Sequence, residues 1–120
     1  MNSKAEENNI KQYSKDEGVL SIMYHRFDEN KYPSTNIQMN IFKKHIQLIK
    51  DLDYKFIHPK NFEDNFDIPK KQKKILITID DAFQSFYEVA WPFLKKNKIP
   101  FILFVSTEPV GNKGYMTWSQ

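Results

Sequence analysis

Four short apolar runs divide the chain, and each is bounded by polar or turn-forming residues: residues 19–24, 54–57, 75–79 and 101–105. Runs of this length that are rich in β-branched and aromatic residues predict β-strands. The run 75–79 (ILITI) is the most uniform. A strand without polar alternation is typical of a parallel sheet or barrel, where both faces are covered. The run 19–24 (VLSIMY) is predicted to be largely buried as well.

Between the first two runs, apolar residues recur at helical spacing and predict an amphipathic helix over residues 38–52. Its inner stripe consists of Phe42, His45, Ile46, Ile49 and Leu52. The lysines of this segment fall largely on other faces, as expected for a helix lying on a core. Thr35 or Asn36 is the candidate N-cap, because a short polar side chain can accept a hydrogen bond from the first helical turn.

A second helix is predicted over residues 85–97, between the third and fourth runs. Its inner stripe consists of Phe86, Val89, Ala90, Phe93 and Leu94. Pro92 falls within this pattern. Since proline lacks an N–H and clashes with the preceding turn, it predicts a kink or two short helices. One helical turn is also predicted around residues 61–65, and the start of another helix near Thr117.

The order of elements is β-α-β-(short α)-β-α-β, and this alternation predicts parallel strands joined by right-handed crossovers. The predicted fold class is therefore α/β. A complete barrel of such units takes about 250 residues, so residues 19–120 are expected to form only the first four strands of a partial (β/α) barrel. Residues 1–18 are polar and contain no apolar segment, which predicts a disordered leader and gives no sign of a signal peptide.

Composition and charge narrow the possible functions. The chain contains no cysteine, which excludes disulfides and thiolate metal sites, and it has no apolar run long enough to cross a membrane. The formal net charge is +3, and lysine supplies every basic residue except Arg26. Nucleic-acid surfaces commonly use arginine forks. The scattered lysines are therefore attributed to solvated surface, and no nucleic-acid partner is predicted.

The candidate chemistry lies at the end of the most uniform run, where Ile79 is followed by Asp80 and Asp81. In parallel α/β folds the carboxyl ends of the strands carry the active site. Two adjacent carboxylates repel each other unless a cation lies beside them, and a divalent metal would leave one of them free as a base. The alternative is that an aspartate only caps the helix that follows.

This segment and its surroundings resemble a known family. Residues 78–83 (TIDDAF) are similar to the first motif of the polysaccharide deacetylases, the NodB-homology domains of carbohydrate esterase family 4, usually written T-F-D-D-G. Other segments resemble the family in the same order: IMYHR (22–26), residues 42–57, AWPFLKK (90–96) with IPFILFV (99–105), and MTW (116–118). The resemblance covers about residues 19–120, and the ordered set is more specific than the paired aspartates alone.

The resemblance implies a mechanism. Asp80 matches the general base that activates water, and Asp81 matches a carboxylate ligand of a divalent metal, commonly zinc. In the family, two histidines of a later H-[ST]-x-x-H segment complete the metal site, and a further histidine acts as general acid. The implied reaction is hydrolytic removal of acetate from N-acetylhexosamine units of a polysaccharide or oligosaccharide. The family also suggests a periplasmic, cell-envelope or secreted location.

The chain departs from the family pattern at three points. Ile79 replaces the usual Phe, which is a mild apolar change. Ala82 replaces the usual Gly, so a positive φ at this position would strain the backbone beside the acids. The H-[ST]-x-x-H segment and the later arginine, tryptophan and Leu-x-His motifs are absent from the 120 residues. We therefore predict that these residues alone are not an active enzyme.

The three histidines differ in their positions. His25 ends the first run, on the same rim as the paired aspartates, and this position makes it a candidate substrate-binding residue. His45 lies on the stripe of the first helix, and His58 precedes a proline in a turn, so structural roles are predicted for both. Trp91 is predicted to belong to the core, and Trp118 lies near the end of the sequence.

Two alternative interpretations stay open at this point. Receiver domains also place paired acids after an apolar strand, but they need a phospho-accepting Asp after a later strand. Here the fourth run is followed by Ser106, Thr107 and Glu108, and the likeness is one of fold only. The second alternative is a non-catalytic deacetylase-like module that binds a glycan or a protein.

Overall fold

The computed structural model describes residues 18–65 and 68–120. The predicted leader therefore lies outside the described residues, apart from Gly18. The N–H of Gly18 donates a hydrogen bond to the carbonyl of Ile68 at 2.9 Å. In the part of the chain that is described, no helix has the length and apolar character needed to span a bilayer.

The described strands, in chain order, are β1 (Leu20–Tyr24), β2 (Arg26–Phe27), β3 (Asn36–Ile37), β4 (Lys55–Phe56), β5 (Lys74–Asp80) and β6 (Phe101–Phe104). The main sheet is built around β5, which pairs in parallel with β1, β4 and β6. β1 pairs with residues 75–79 of β5, β4 pairs with the first two residues of β5, and β6 pairs with its last four. The four predicted strands and the parallel α/β class are confirmed.

Burial differs between the strands of the main sheet. Residues 75–79 of β5 are all buried, because β5 has partner strands along both edges and helices against it. β1 is more exposed than predicted: Leu20 and Met23 are more than half exposed, and only Tyr24 is buried. Among the described residues β1 pairs with β5 alone. Its outer edge is therefore open to solvent, and the prediction that β1 is largely buried is wrong.

Helix α1 spans Met39–Asp51 and lies against the sheet. Its buried residues are Met39, Phe42, Ile46 and Ile49. His45 is half-buried, as predicted for a residue at the margin of the core. Leu52 lies beyond the last helical residue and is exposed, so the predicted stripe is wrong at that position.

The start of α1 is capped differently from the prediction. The Asp28 carboxylate accepts a hydrogen bond from the Met39 N–H at 2.6 Å, although Asp28 is eleven residues earlier. The Thr35 hydroxyl donates to the Tyr32 carbonyl, and the Asn36 side chain accepts from the Glu29 N–H. Thr35 and Asn36 are therefore used within their own loop, and the capping role predicted for them is wrong.

The segment after the paired acids begins with a π-helical turn, Phe86–Ala90, and continues directly as helix α2 (Trp91–Lys96). Pro92 lies in the first turn of α2, just after the π-helical turn, where its ring nitrogen cannot donate to the preceding helical carbonyls and the helix changes from π to α. The predicted division of this helix is thereby confirmed. Phe86, Ala90 and Leu94 of the predicted stripe are buried.

Aromatic side chains join β1, β2 and the two helices. The Phe42 ring centroid lies 4.8 Å from that of Tyr24, 5.1 Å from that of Phe27 and 5.9 Å from that of Phe93. A 2.9 Å hydrogen bond joins the Tyr24 hydroxyl to Nδ1 of His45. Burial raises the pKa of Tyr24 to about 12, and its hydroxyl links β1 to α1 through this bond.

Three local features differ from the sequence prediction. β2 and β3 form a separate two-stranded parallel sheet, which the sequence pattern does not predict. The helical turn predicted at residues 61–65 is a pair of 3₁₀ turns, Pro59–Asn61 and Glu63–Asn65. No helix begins near Thr117 in the described residues. Residues 117–120 instead form a turn closed by a hydrogen bond from the Gln120 N–H to the Thr117 carbonyl.

Candidate active site

The paired acids lie where the carboxyl ends of three parallel strands meet. Asp80 is the last residue of β5, and Asp81 follows it. The pairing of β1 with β5 ends at Tyr24 opposite Ile79, and the pairing of β6 with β5 ends at Phe104 opposite Asp80. The residues that follow β1 and β6 are therefore carried to either side of the acids.

His25, the residue that follows β1, lies beside Asp80. Its Nε2 is 3.8 Å from Oδ2 of Asp80, and the two side chains are 26% and 27% exposed. This separation is too long for a hydrogen bond but is within the range of a charge interaction. The structure thus brings together two of the three predicted site residues, in a position that solvent can reach.

Asp81 makes its contact on the opposite side, with a residue of the segment that follows β6. The Ser106 hydroxyl donates a hydrogen bond to Oδ1 of Asp81 at 3.0 Å. Sequence analysis did not select Ser106 as a site residue. Its position after the next parallel strand is the signal that would have found it, because strand ends of a parallel sheet gather at one rim.

The backbone turns sharply at the acids. Asp81 and Ala82 both have positive φ, 72° and 50° respectively, so the condition under which Ala82 was expected to be strained is met. Two hydrogen bonds hold this turn: Met116 N–H to the Ala82 carbonyl at 2.9 Å, and Gln84 N–H to the Gly114 carbonyl at 2.8 Å. The helical turn that follows has no side-chain capping bond, so the interpretation of an aspartate as a simple cap is wrong.

Substituting Ala82 tests the strain at this turn. We expect Ala82→Gly to stabilise the fold by up to about 1 kcal/mol. Glycine removes the strain of a left-handed alanine, which costs about 1–2 kcal/mol, but its greater conformational entropy in the unfolded chain offsets part of that gain. Ala82→Val should cost about 2 kcal/mol or more, since a β-branched residue is strongly disfavoured at positive φ. Urea unfolding would measure both changes.

Ala90 provides the matched control for the glycine substitution. It is buried like Ala82 but has a helical φ of −85°, so Ala90→Gly should destabilise by about 1 kcal/mol. Equal destabilisation by glycine at both positions would contradict the expected strain at Ala82.

Arg26 packs between aromatic rings beside the acid-bearing turn. Its Cζ lies 3.6 Å from the Phe83 ring centroid and 4.3 Å from the Tyr32 ring centroid. Its side chain is 14% exposed, and Nε lies 3.5 Å from the Glu29 carboxylate without making a hydrogen bond. This contact was not predicted from the sequence, because it depends on which loops meet.

The remaining histidines and tryptophans contact other parts of the chain or are exposed. Nδ1 of His58 accepts a hydrogen bond from the Lys60 N–H at 3.1 Å and caps the short turn that begins at Pro59. Trp91 is half-buried, and its ring centroid lies 5.6 Å from that of Phe101. Trp118 is exposed. The structural roles predicted for His45 and His58 agree with their contacts.

Two open clefts include a residue that neighbours the paired acids, His25 in one and Ala82 in the other. One, of about 250 Å³, is lined by His25 and by polar residues of the loop before α1, with Ser34, Thr35 and Asn36 among them. The other, of about 170 Å³, is lined by Ala82 and by apolar residues that include Val105 and Trp118.

The described residues do not form a complete metal site by themselves. Within residues 18–65 and 68–120, no three histidine, aspartate or glutamate side chains form a group able to hold a metal ion. A catalytic zinc site takes three protein ligands and keeps a fourth position open. Carboxylate oxygens suit a divalent cation, so Asp81 fits as one ligand, but the described residues do not complete the set.

Comparison with known proteins confirms the predicted resemblance to the polysaccharide deacetylases. The chain is 29% identical over 118 residues to poly-β-1,6-N-acetyl-D-glucosamine N-deacetylase of Staphylococcus aureus (strain MSSA476), an alignment that covers 84% of this chain and 40% of the relative. No family model matches the chain.

Solved structures agree with the sequence comparison. IcaB from Ammonifex degensii superposes with a TM-score of 0.74 at 30% identity, over 86% of this chain and 46% of that one. The Streptococcus pyogenes deacetylase PplD, in complex with acetate, superposes with a TM-score of 0.66 at 27% identity, over 82% of this chain and 48% of that one. The chain spans 36% to 40% of the length of the curated relatives it matches.

Proposed function

We propose that the chain is the amino-terminal part of an enzyme that hydrolyses N-acetyl groups of a polysaccharide or oligosaccharide in a metal-dependent reaction. The observation that carries the proposal is the placement of Asp80 and Asp81 at the common end of three parallel strands, with His25 beside Asp80. The S. aureus relative, named as a poly-β-1,6-N-acetyl-D-glucosamine N-deacetylase, supports an N-acetylhexosamine polymer as the substrate class.

The side chains of the site divide the chemistry between them. Asp80 would take a proton from the attacking water as general base, and Asp81 would be a ligand of the metal, which we propose to be zinc. A bound divalent metal would polarise the acetyl carbonyl and the water. The imidazole of His25 would hydrogen-bond to the substrate, and the Ser106 hydroxyl, which donates to Oδ1 of Asp81, would orient that carboxylate.

Acetate release by protein expressed from the complete gene is the direct test. With poly-β-1,6-N-acetylglucosamine or chitin oligomers as substrates, we expect release that stops on treatment with EDTA and returns when zinc is added. The substrate that gives the larger kcat/KM would identify the glycan. A folded, metal-loaded protein that releases no acetate from any N-acetylglucosamine polymer would refute the proposal.

The 120-residue chain alone is expected to be inactive in the same assay, because its described residues provide too few metal ligands. The same observation supports a second candidate, a deacetylase-like module that binds glycan without hydrolysing it. Calorimetric titration with the same oligomers distinguishes the two. Binding by the product of the complete gene, without acetate release, would favour the module. For either function we propose a cell-envelope or secreted location, where such polymers occur.

A further inference from the structure

The main sheet holds Asp80, which pairs with Phe104 of β6, but it does not hold His25, which lies beyond the last paired residue of β1. The ladder between β1 and β5 ends at Tyr24 and Ile79, one residue before each member of the pair. After Asp80 the chain leaves β5 through the left-handed residues Asp81 and Ala82. Other contacts must therefore determine where the imidazole lies relative to the carboxylate.

Two contacts join the segment that follows His25 to the segment that follows Asp80. The Phe27 N–H donates a buried hydrogen bond to Oγ of Ser85 at 3.1 Å, across 58 residues of sequence. The Arg26 guanidinium packs on the Phe83 ring, with 3.6 Å between Cζ and the ring centroid. We name these four residues, Arg26, Phe27, Phe83 and Ser85, the clamp.

Each contact of the clamp is constrained by burial. Phe27 is 1% exposed, so its N–H has no access to water, and a buried N–H without a partner is costly. Ser85 is the partner, and it is itself buried. Arg26 is held by rings rather than by hydrogen bonds at Nε. A planar guanidinium can stack in this way, whereas an ammonium cannot.

We propose that Ser85 and Arg26 are positioning residues that set the separation between His25 and Asp80. His25 lies between two fixed points. The pairing of β1 with β5 holds the chain before it, and the clamp holds the chain after it by joining β2 to the turn that follows the acids. The effect of this positioning on turnover rests on the proposed function, whereas the positioning itself does not depend on that function. Neither Ser85 nor Arg26 has a role in the chemistry of the site described above.

The positioning can be tested without any enzymatic reaction. The chain contains three histidines, so imidazole ¹⁵N spectra of the labelled protein at fixed pH give three assignable sets of signals. Asp80→Asn calibrates how far the His25 signals move when the carboxylate is removed. We expect Ser85→Ala to move the His25 signals by at least half as much, while those of His45 and His58 stay in place. Ser21→Ala, at an exposed serine of β1, is the matched control and should move none.

Arg26→Lys supplies a second variant that keeps the charge but loses the planar stack. It should also displace the His25 signals and leave those of His45 and His58 unchanged. In protein from the complete gene, either clamp variant should lower kcat about tenfold or more with little change in KM, since a small misplacement of reacting groups is sufficient for such a loss.

Unchanged His25 signals in folded Ser85→Ala would overturn the proposal, as would equal movement of all three histidines, which indicates a general loosening of the fold. If Ser85→Ala does not fold, the His25 signals of Arg26→Lys decide in the same way. Absence of acetate release by the unsubstituted protein would refute the proposed function instead, and would leave the spectroscopic result standing.

Discussion

Asp80→Asn is expected to lower the rate of acetate release by about 10²–10⁴-fold, the usual contribution of a general base. Asparagine keeps the shape of the side chain but cannot take a proton from water. Metal content should be unaffected, because in the proposed mechanism Asp80 is not the metal ligand. The measurement is kcat with saturating zinc, together with zinc content after dialysis.

Asp81→Asn should behave differently, although the two residues are adjacent. Replacing a charged ligand by an amide should weaken zinc binding by at least about 10–100-fold, the loss that even outer partners of a metal site cause. Activity should then return in part as the zinc concentration is raised, whereas Asp80→Asn should stay inactive at every concentration. This contrast separates the two roles more clearly than loss of activity alone.

Asp64→Asn is the matched control, because Asp64 is an exposed aspartate in a 3₁₀ turn, and it should leave both kcat and zinc content unchanged. If zinc rescued Asp80→Asn but not Asp81→Asn, the two assignments would have to be exchanged. If both variants kept full activity, the site would have to lie elsewhere.

Phe42→Ala is expected to lower the free energy of unfolding by about 3–5 kcal/mol, the range for truncating a buried phenylalanine. Phe42 is fully buried, and its ring contacts aromatic rings of β1, β2 and α2. Removing it leaves a cavity in the middle of this cluster. Urea unfolding followed by circular dichroism measures the loss.

Ile41→Ala on the same helix is the control, because Ile41 is 38% exposed and alanine is the better helix former. It should change the unfolding free energy by less than about 1 kcal/mol. If Phe42→Ala proves too unstable to purify, Phe42→Leu should show a smaller loss in the same direction. Similar losses at positions 41 and 42 would contradict the central place of Phe42 in the core.

Sequence pattern predicted the parts of the fold that depend on local periodicity. The uniform run 75–79 identified the central strand, and Pro92 predicted the division of the second helix. The pattern failed where burial depends on neighbours. Leu20 and Met23 are exposed because β1 has only β5 beside it in the described residues. Strands of two residues, such as β2 and β3, are too short to produce a period at all.

The candidate site likewise contains features that the sequence predicted and features that it could not predict. The end of the most uniform strand identified Asp80 and Asp81, and the rim position of His25 predicted its nearness to Asp80. The contacts that surround them could not be predicted. Ser85 and Phe27 are 58 residues apart in sequence, and Arg26 meets Phe83 only because two loops converge. Capping of α1 by Asp28 likewise depends on the path of the loop between them.

The central position of β5 has a consequence for how the chain folds. The strand that β1 pairs with lies roughly 55 residues further along the chain, as the pairing of Leu20 with Ile75 shows. Contacts between residues so distant in sequence slow folding. Helix α1 can form early, but its apolar face has no main sheet to cover until β5 has been synthesised. At about 5–20 residues per second, the apolar face of α1 would stay uncovered for a few seconds while the chain up to the end of β5 is synthesised.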